Sequence, residues 1–223
     1  MNRPPPPRGS YRREGPGLEF DRVSFFSDAV YAIAMTLLVV ELTPPDIVTS
    51  DPLILIDAIL ETWTHIFGFF LGFLLLGRYW LAHHDFFATL RSVDRTLISI
   101  NLVYLAFVAF MPYAVAMISE HESNPIAFAI FAICMAIISG LEVIMYAIAV
   151  RRGHMRRELS PEAVRFGYLA AGVPVLIMLL SVPLAAIGTT LALLSWLVLI
   201  PLGALMHRRV PDEFRHPGSD EVN

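Results

Sequence analysis

The sequence predicts an all-α integral membrane protein in which six helices cross the bilayer. Hydrophobic residues make up 56% of its 223 residues, and the mean hydropathy of +0.63 is higher than a water-soluble domain of this size allows. The apolar residues form six runs of about 20 residues, the length that an α-helix needs to cross a hydrocarbon core about 30 Å thick. Charged residues lie almost entirely in the links between these runs.

The six apolar runs are separated by links that contain proline, glycine or charged residues. The predicted spans cover residues 23–42, 61–82, 97–118, 126–150, 163–186 and 188–207. The first span cannot continue into residues 43–60, because this link contains three prolines. We expect a loop here, in which the stretch LILIDAIL is typical of a helix lying at the membrane surface. The last two spans are divided only by a turn marked by Pro183 and Gly188.

Arginines occur in alternate links only, which predicts the orientation of the chain. They lie before the first span, between the second and third, between the fourth and fifth, and after the sixth, whereas the two remaining links have none. Basic links stay in the cytoplasm, so both termini are expected there. The chain then divides into a disordered cytoplasmic arm of residues 1–21, a transmembrane domain of residues 22–207 and a cytoplasmic tail of residues 208–223.

Other classes of function leave no signature in the sequence. It contains no nucleotide-binding loop, no nucleophile elbow and no metal-binding helix motif. A membrane-bound metal hydrolase needs several converging histidines, whereas the seven histidines here are scattered. The one cysteine, Cys134, lies within an apolar run, so no intrachain disulfide forms. We therefore expect no enzyme, no cofactor, no metal site and no nucleic-acid partner, with the lipid bilayer as the surroundings of the chain.

Polar residues near the start of the first span are the main candidate functional residues, since a charged group inside a membrane is costly. Ser27 and Asp28 lie at the depth where the second span ends and the third begins. We predict that they join a hydrogen-bonded cluster that fixes the first span against its neighbours. The other expected members are Arg22, Arg78, Trp80, His83, His84 and Asn101. The alternative is that His83, His84 and Asp85 are only residues of an interfacial loop.

A row of branched aliphatic residues occupies the opposite side of the first span. With successive residues about 100° apart around a helix, Ile33, Leu37 and Val40 lie about 140°, 180° and 120° from Asp28. Thr36 lies beside this row, at about 80°. Since Asp28 is expected to face neighbouring helices, the row faces either lipid or a symmetry axis.

The start of the first span also carries a sequence motif. Arg22, Phe26, Ser27 and Asp28 form the pattern R-x-x-x-F-S-D, which is followed by AVYAIAMTLLVVEL. This stretch resembles the first helix of the transmembrane protein 175 family of potassium channels, found in prokaryotes and in animal endosomes and lysosomes. WLAHHDFF (80–87) resembles the end of the family's second helix, and NLVYLAFVAFMPY (101–113) resembles its third. Spans 4 to 6 match the family only as hydrophobic helices.

The resemblance implies a homotetramer in a prokaryotic plasma membrane, with the first helix of each subunit lining a central pore for K⁺. Prokaryotic members constrict the pore with rings of aliphatic side chains, without a carbonyl filter of the TVGYG kind. The corresponding residues here are Ile33, Leu37 and Val40, with Thr36 as the polar neighbour linked to potassium preference. Such rings gate by excluding water, and we expect Ile33 to form the main constriction.

The resemblance also assigns an anchoring role and shows two departures. The motif residues Arg22, Phe26, Ser27 and Asp28 hold the first helix in place in the family. Tyr31 stands where phenylalanine is usual, and Val40 is smaller than the leucine that is common at its position. A smaller side chain would widen that ring, so the resemblance predicts the preference for K⁺ less directly than it predicts the fold.

An ion-coupled secondary transporter is the alternative function. Such proteins are built from inverted repeats with broken helices and a charged site near the middle of the membrane. The sequence has no internal repeat, and its polar cluster is off-centre. A passive channel is therefore the preferred interpretation.

Three residues elsewhere have two interpretations each. Gly68 and Gly72 in the second span either allow a neighbouring helix to approach closely or occur by chance on a lipid-facing side. Glu142, deep in the fourth span, is either a proton-sensitive contact or a paired structural group.

Overall fold

The computed structural model describes residues 10–12 and 19–208. Residues 1–9 and 13–18 of the expected arm, and 209–223 of the expected tail, lie outside the described residues. The elements in chain order are β1 (Tyr11–Arg12), α1 (Glu19–Leu37), a 3₁₀ helix (Leu38–Glu41), α2 (Pro52–Glu61), α3 (Trp63–Ala88), β2 (Ser92–Val93), α4 (Arg95–Glu120), α5 (Pro125–Arg151), α6 (Pro161–Ala185), α7 (Thr189–Ser195), a second 3₁₀ helix (Trp196–Val198) and α8 (Leu199–Arg208).

Six segments of the described chain are long and apolar enough to cross a membrane. They are Phe20–Glu41, Trp63–Ala88, Arg95–Glu120, Pro125–Arg151, Pro161–Ala185 and Thr189–Met206. The prediction of an all-α chain with six membrane-spanning helices is therefore confirmed. The stretch LILIDAIL forms α2, a short helix with no buried residue that lies between the first two spans.

Helices α4 and α5 form the centre of the subunit. In the most apolar windows of these two helices 50% of the residues are buried, compared with 17% to 22% in the other four spans. The first span packs on α3 and α4, whereas α6 packs on α5. As a result α1 and α6 lie on different sides of the central pair, and each has much of its surface exposed.

Side-chain caps define where the central helices begin. Asp94 accepts a hydrogen bond from the Leu97 N–H at 2.8 Å, and Asn124 accepts one from the Ile126 N–H at 2.9 Å. These bonds satisfy amide groups that have no partner within the first turn of a helix. The caps therefore fix the starts of α4 and α5, and with them the depth of the residues that follow.

The sixth span differs from the single helix expected over residues 188–207. It consists of α7, a 3₁₀ turn and α8. Pro201 gives the physical reason, because a proline lacks the N–H for a helical hydrogen bond and its ring clashes with the carbonyl four residues earlier. That carbonyl belongs to Leu197, inside the 3₁₀ turn.

The segment before the first span also differs in detail from the expectation. Helix α1 begins at Glu19, so the boundary placed between residues 21 and 22 falls inside a helix. Tyr11 and Arg12, expected to be part of a disordered arm, form β1, which pairs antiparallel with Ser92 and Val93 of β2. This strand pair connects the segment before α1 to the link between α3 and α4.

Gly68 and Gly72 allow α3 to approach its neighbours closely. A Cβ atom at Gly72 would lie 2.8 Å from Val115 Cγ2 and 3.1 Å from Leu38 Cδ2, and one at Gly68 would lie 2.0 Å from Ser119 Oγ. Both glycines therefore face protein, and the close-approach interpretation applies.

We expect Gly72→Ala to lower the free energy of unfolding by about 1–3 kcal/mol, because the added methyl group overpacks the contact with Val115 and Leu38. The measurement is the thermal unfolding midpoint of the protein purified in detergent. Gly77→Ala is the matched control, since a Cβ atom there meets nothing within 4 Å and alanine favours the helix. Equal midpoints for the two variants would contradict this packing of α3.

Candidate functional site

Helix α1 has one buried face and one exposed face. Ser27 and Tyr31 are both 0% exposed, on the buried side. The aliphatic row lies on the other side, where Ile33, Leu37 and Val40 are 58%, 45% and 67% exposed. The division between a protein-facing side and an unpartnered apolar side is therefore present in the single subunit.

The exposed row is straighter than the sequence indicated, because α1 becomes a 3₁₀ helix at Leu38. Residues three apart eclipse each other in a 3₁₀ helix, so Val40 lies nearly in line with Leu37. The sequence estimate, which assumed an α-helix throughout, separated them by about 60°. Thr36 is exposed beside the row, and its hydroxyl donates to the Ile33 carbonyl at 2.9 Å.

A buried chain of hydrogen bonds joins α1, α4 and α3. The amide nitrogen of Asn101 donates to Ser27 Oγ at 3.0 Å, and Ser27 Oγ donates to the Val23 carbonyl at 2.9 Å. The amide oxygen of Asn101 lies 2.8 Å from His83 Nε2. An amide oxygen only accepts, so His83 donates from Nε2. Asn101 thus connects the other two side chains.

Two aromatic rings hold the imidazole of His83. The ring of Phe87 stacks on it with a centroid distance of 4.4 Å, and the ring of Tyr104 with one of 5.3 Å. The orientation of the imidazole is therefore determined both by packing and by its hydrogen bond to Asn101.

Asp28 makes a separate connection between α1 and α3. Its Oδ1 atom accepts a hydrogen bond from Trp80 Nε1 at 2.9 Å, and the ring of His84 lies against Trp80 with a centroid distance of 5.6 Å. The structure does not bring Arg22 and Phe26 into this set. Both are exposed, and Phe26 has an exposed fraction of 52%.

A second hydrogen-bonded chain, which the sequence did not reveal, reaches the fourth span. Tyr104 donates to Glu142 Oε1 at 3.0 Å, and its oxygen is hydrogen-bonded to the hydroxyl of Tyr31. Because the Tyr104 hydrogen is directed to the carboxylate, Tyr31 is the donor in the second bond. The signal for this chain was limited to Glu142 and to the tyrosine at position 31 in place of the usual phenylalanine.

A crevice of about 1010 Å³ lies between α3, α5, α6 and α8. Glu142 and Arg78 line it at the depth of the hydrogen bonds between Tyr31, Tyr104 and Glu142. Asp85 and Thr89 line it where α3 ends. That side of the bundle, where the links contain the arginines, is called the arginine-rich end below.

The links at the arginine-rich end carry a compact ionic cluster. Arg152 Nη1 lies 2.5 Å from Asp94 Oδ2, and His154 Nε2 lies 3.5 Å from the same oxygen. His154 Nδ1 is 3.0 Å from Ser92 Oγ, beside the strand pair. The cluster therefore joins the link between α3 and α4 to the link between α5 and α6.

The cluster shifts the protonation of its members. Partial burial raises the pKa of Asp94, but the Leu97 N–H, Arg152 and His154 outweigh it, so the pKa lies below its usual value. Burial lowers the pKa of His154, and the nearby Asp94 carboxylate only partly offsets this effect. His154 is therefore neutral near pH 7.

We expect the protein to lose stability as the pH falls from about 6.5, the usual pKa of histidine, toward the range near pH 4 in which carboxyl groups titrate. In this range the unfolded chain binds a proton at His154 more readily than the folded chain does. The free energy of unfolding therefore falls by at most about 1.4 kcal/mol per pH unit. The contribution of Asp94, whose pKa is also lowered, is lost only below its usual titration range near pH 4. Thermal unfolding midpoints in detergent, measured across this range, test the prediction.

His154→Gln should reduce that decline, because one group that takes up a proton on unfolding is gone. His121→Gln is the matched control, since the His121 side chain is 50% exposed and substitution of an exposed side chain changes stability little. If the decline persists unchanged in His154→Gln, another group is responsible for it.

Comparisons with known proteins agree with this architecture. The family model described as "Endosomal/lysosomal potassium channel TMEM175" matches residues 22–112. The potassium channel B446_29190 of Streptomyces collinus is 31% identical over 185 residues, which cover 78% of this chain and 86% of that protein. The human endosomal/lysosomal proton channel TMEM175 is 32% identical over 114 residues, 48% of this chain and 23% of the human one.

A solved structure shows the same fold. The crystal structure of a lysosomal potassium-selective channel TMEM175 homolog from Chamaesiphon minutus has a TM-score of 0.72 to this chain, with 23% identity. The match covers 87% of this chain and 99% of that one. From the fold and the extent of the Streptomyces match, the chain belongs to the TMEM175 family of membrane channels.

Proposed function

We propose that this protein is a potassium channel of the cell membrane that conducts K⁺ passively through a homotetrameric pore lined by α1. The observation that carries the proposal is the pair of faces on α1, one hydrogen-bonded to α3 and α4 and the other apolar and exposed. The Streptomyces relative, a named potassium channel that matches over most of the chain, supports K⁺ as the permeant ion. No cofactor is needed for this function.

Four copies of α1 around an axis would place Ile33, Leu37 and Val40 in stacked apolar rings. A closed ring of identical subunits is the common way for a small chain to enclose a channel. Narrow apolar rings exclude water until they widen, which supplies a gate. Thr36 would add a hydroxyl next to the narrowest part, at Ile33, where K⁺ and Na⁺ are distinguished.

The polar residues behind α1 would act as its anchor. Ser27 and Asp28 hold α1 through Asn101 and Trp80, while Arg22 and Phe26, which are exposed in one subunit, are free to contact the next subunit. The positive-inside rule assigns the arginine-rich end to the cytoplasm, together with the segment before α1 and the tail after α8.

Ion flux from liposomes that contain the purified protein tests the function. We expect liposomes loaded with K⁺ to release it without any other imposed gradient, and faster than matched liposomes release Na⁺. Empty liposomes are the control. Flux that requires an imposed proton or sodium gradient would instead identify a secondary transporter, and proton flux without K⁺ flux would contradict the proposed permeant ion.

Chemical crosslinking in the native membrane tests the assembly. A ladder that ends at four subunits is the expected result, since a pore formed by α1 needs several copies. A product that ends at two subunits would contradict the tetramer.

A further inference from the structure

Glu142 occupies a position between two features of the subunit. On one side its carboxylate lines the crevice between α3, α5, α6 and α8. On the other side its Oε1 atom accepts the hydrogen bond from Tyr104, which in turn accepts one from Tyr31. One half-buried acid is therefore in contact both with a cavity and, through two hydroxyl groups, with the proposed pore helix.

The crevice extends from the arginine-rich end to the depth of Glu142. Its lining residues on α3 run from Leu75 to Ala88, which is about 20 Å along a helix. A single water needs only about 15 Å³ and two or more polar partners. The crevice has ample volume for water, and its polar lining includes Arg78 and Asp85. With the arginine-rich end in the cytoplasm, as proposed above, the crevice would give cytoplasmic water a route to Glu142.

The ionisable groups around Glu142 come from several helices. Arg78 of α3 is the basic group that interacts electrostatically with the carboxylate. The other ionisable side chains that line the crevice or bond to Glu142 are Tyr79, His83 and Asp85 of α3, Tyr104 of α4 and Tyr146 of α5. The crevice-lining residues that α6 and α8 contribute are uncharged, among them Phe166 and Leu199.

We propose that Glu142 is a positioning residue for the pore helix and makes K⁺ conduction depend on cytoplasmic pH. The proposal rests on the proposed function, in which α1 lines the pore. When Glu142 is ionised, Tyr104 donates a charge-assisted hydrogen bond to it, and Tyr31 is held by Tyr104. A proton that arrives through the crevice binds the carboxylate and leaves a neutral acceptor, whose hydrogen bond is about half as strong.

Tyr31 transmits this change to the constriction. It lies two residues before Ile33, on the opposite, buried face of the same helix. Weaker binding of Tyr31 by α4 therefore lets α1 shift, and the ring at Ile33 shifts with it. The chain from Glu142 to Tyr31 does not include the hydrogen bonds of Asn101, so the rest of the anchor stays intact.

Current recorded from membrane patches, with the pH varied on the cytoplasmic side only, tests the proposal. We expect the K⁺ current of the wild type to change by about fivefold between the two forms of Glu142. Glu142→Gln should give a current that does not vary with pH and equals the wild-type current at low pH, because the amide imitates the neutral acid. Glu142→Asp should keep a pH dependence.

Tyr104→Phe tests whether the pH dependence passes through the hydroxyl link between Glu142 and Tyr31, and not through another ionisable group. It removes the hydroxyl link but keeps the ring that stacks on His83, so we expect the pH dependence to disappear. Tyr79→Phe is the matched control, because the Tyr79 hydroxyl is bonded to Ser139 rather than to Glu142. It should keep the full pH dependence. A pH dependence retained by either Tyr104→Phe or Glu142→Gln would overturn the proposal.

The water route is tested independently of these variants. Ala82 lines the crevice, and Ala82→Cys in a chain that also carries Cys134→Ala should react with a charged thiol reagent added from the cytoplasmic side. Absence of reaction would overturn the proposal, as would a wild-type K⁺ current that does not respond to cytoplasmic pH. A wild type that carries no K⁺ current at any pH would contradict the proposed function instead.

Discussion

Asn101→Leu should destabilise the protein by about 3–5 kcal/mol, and we expect little folded channel to be recovered from the membrane. Leucine has as many side-chain heavy atoms as asparagine, but it removes the acceptor of the His83 hydrogen bond and the group that donates to Ser27. The Ser27 hydroxyl then keeps only its bond to the Val23 carbonyl. A buried polar group that loses its partner costs about 1–3 kcal/mol, and two such groups are affected. The loss is a large part of the stability of a typical folded domain. Thermal unfolding and yield after gel filtration measure it.

Asp28→Asn is the matched control for this substitution. Asp28 is only half-buried, and the amide oxygen of asparagine still accepts from Trp80. We expect a loss below about 1 kcal/mol, because the connection between α1 and α3 is kept. If Asn101→Leu proved as stable as Asp28→Asn, the buried chain would not be what fixes α1.

A triple variant distinguishes the cost of unpaired buried polar groups from the loss of the hydrogen bonds themselves. Ser27→Ala and His83→Phe, combined with Asn101→Leu, remove every polar partner at once. Replacing all partners with apolar groups of similar shape can be nearly neutral, so we expect stability to recover well above that of Asn101→Leu alone. No recovery would mean that the hydrogen bonds themselves, and not the avoidance of unpaired groups, hold the helices together.

The spans were predictable because the length of an apolar run is a local property of the sequence. The depth of Ser27, His83 and Asn101 followed from the same reasoning, since helices of known length and alternating direction bring their ends to one level. The contact between Ser27 and Asn101 then needed only that both side chains face inward.

Other features were not predictable because they depend on how helices rotate about their axes. No sequence pattern indicated that Tyr104 faces both Tyr31 and Glu142, since the rotation of α4 relative to α5 is determined by packing along their whole length. By contrast, the break in the sixth span has a cause that is visible in the sequence, Pro201.

Ile33→Asn should raise K⁺ flux by about tenfold or more and reduce the preference for K⁺ over Na⁺. Four isoleucines in one ring form an apolar constriction that resists water, whereas four asparagines would hold water and offer it hydrogen bonds. A tenfold increase in flux requires that the free-energy barrier for K⁺ at this ring fall by only about 1.4 kcal/mol. That is a modest effect for replacing an apolar, water-excluding ring with a polar one. Flux from liposomes loaded with K⁺ or Na⁺ measures both effects.

The control for this substitution places the same side chain away from the pore. Leu180 on α6 is 70% exposed, and α6 packs on α5 rather than on α1, so Leu180→Asn should leave flux and selectivity near the wild-type values. Both variants must elute as the same assembly as the wild type. If Ile33→Asn assembles normally and leaves K⁺ and Na⁺ flux unchanged, the exposed face of α1 meets lipid and another helix must line the pore.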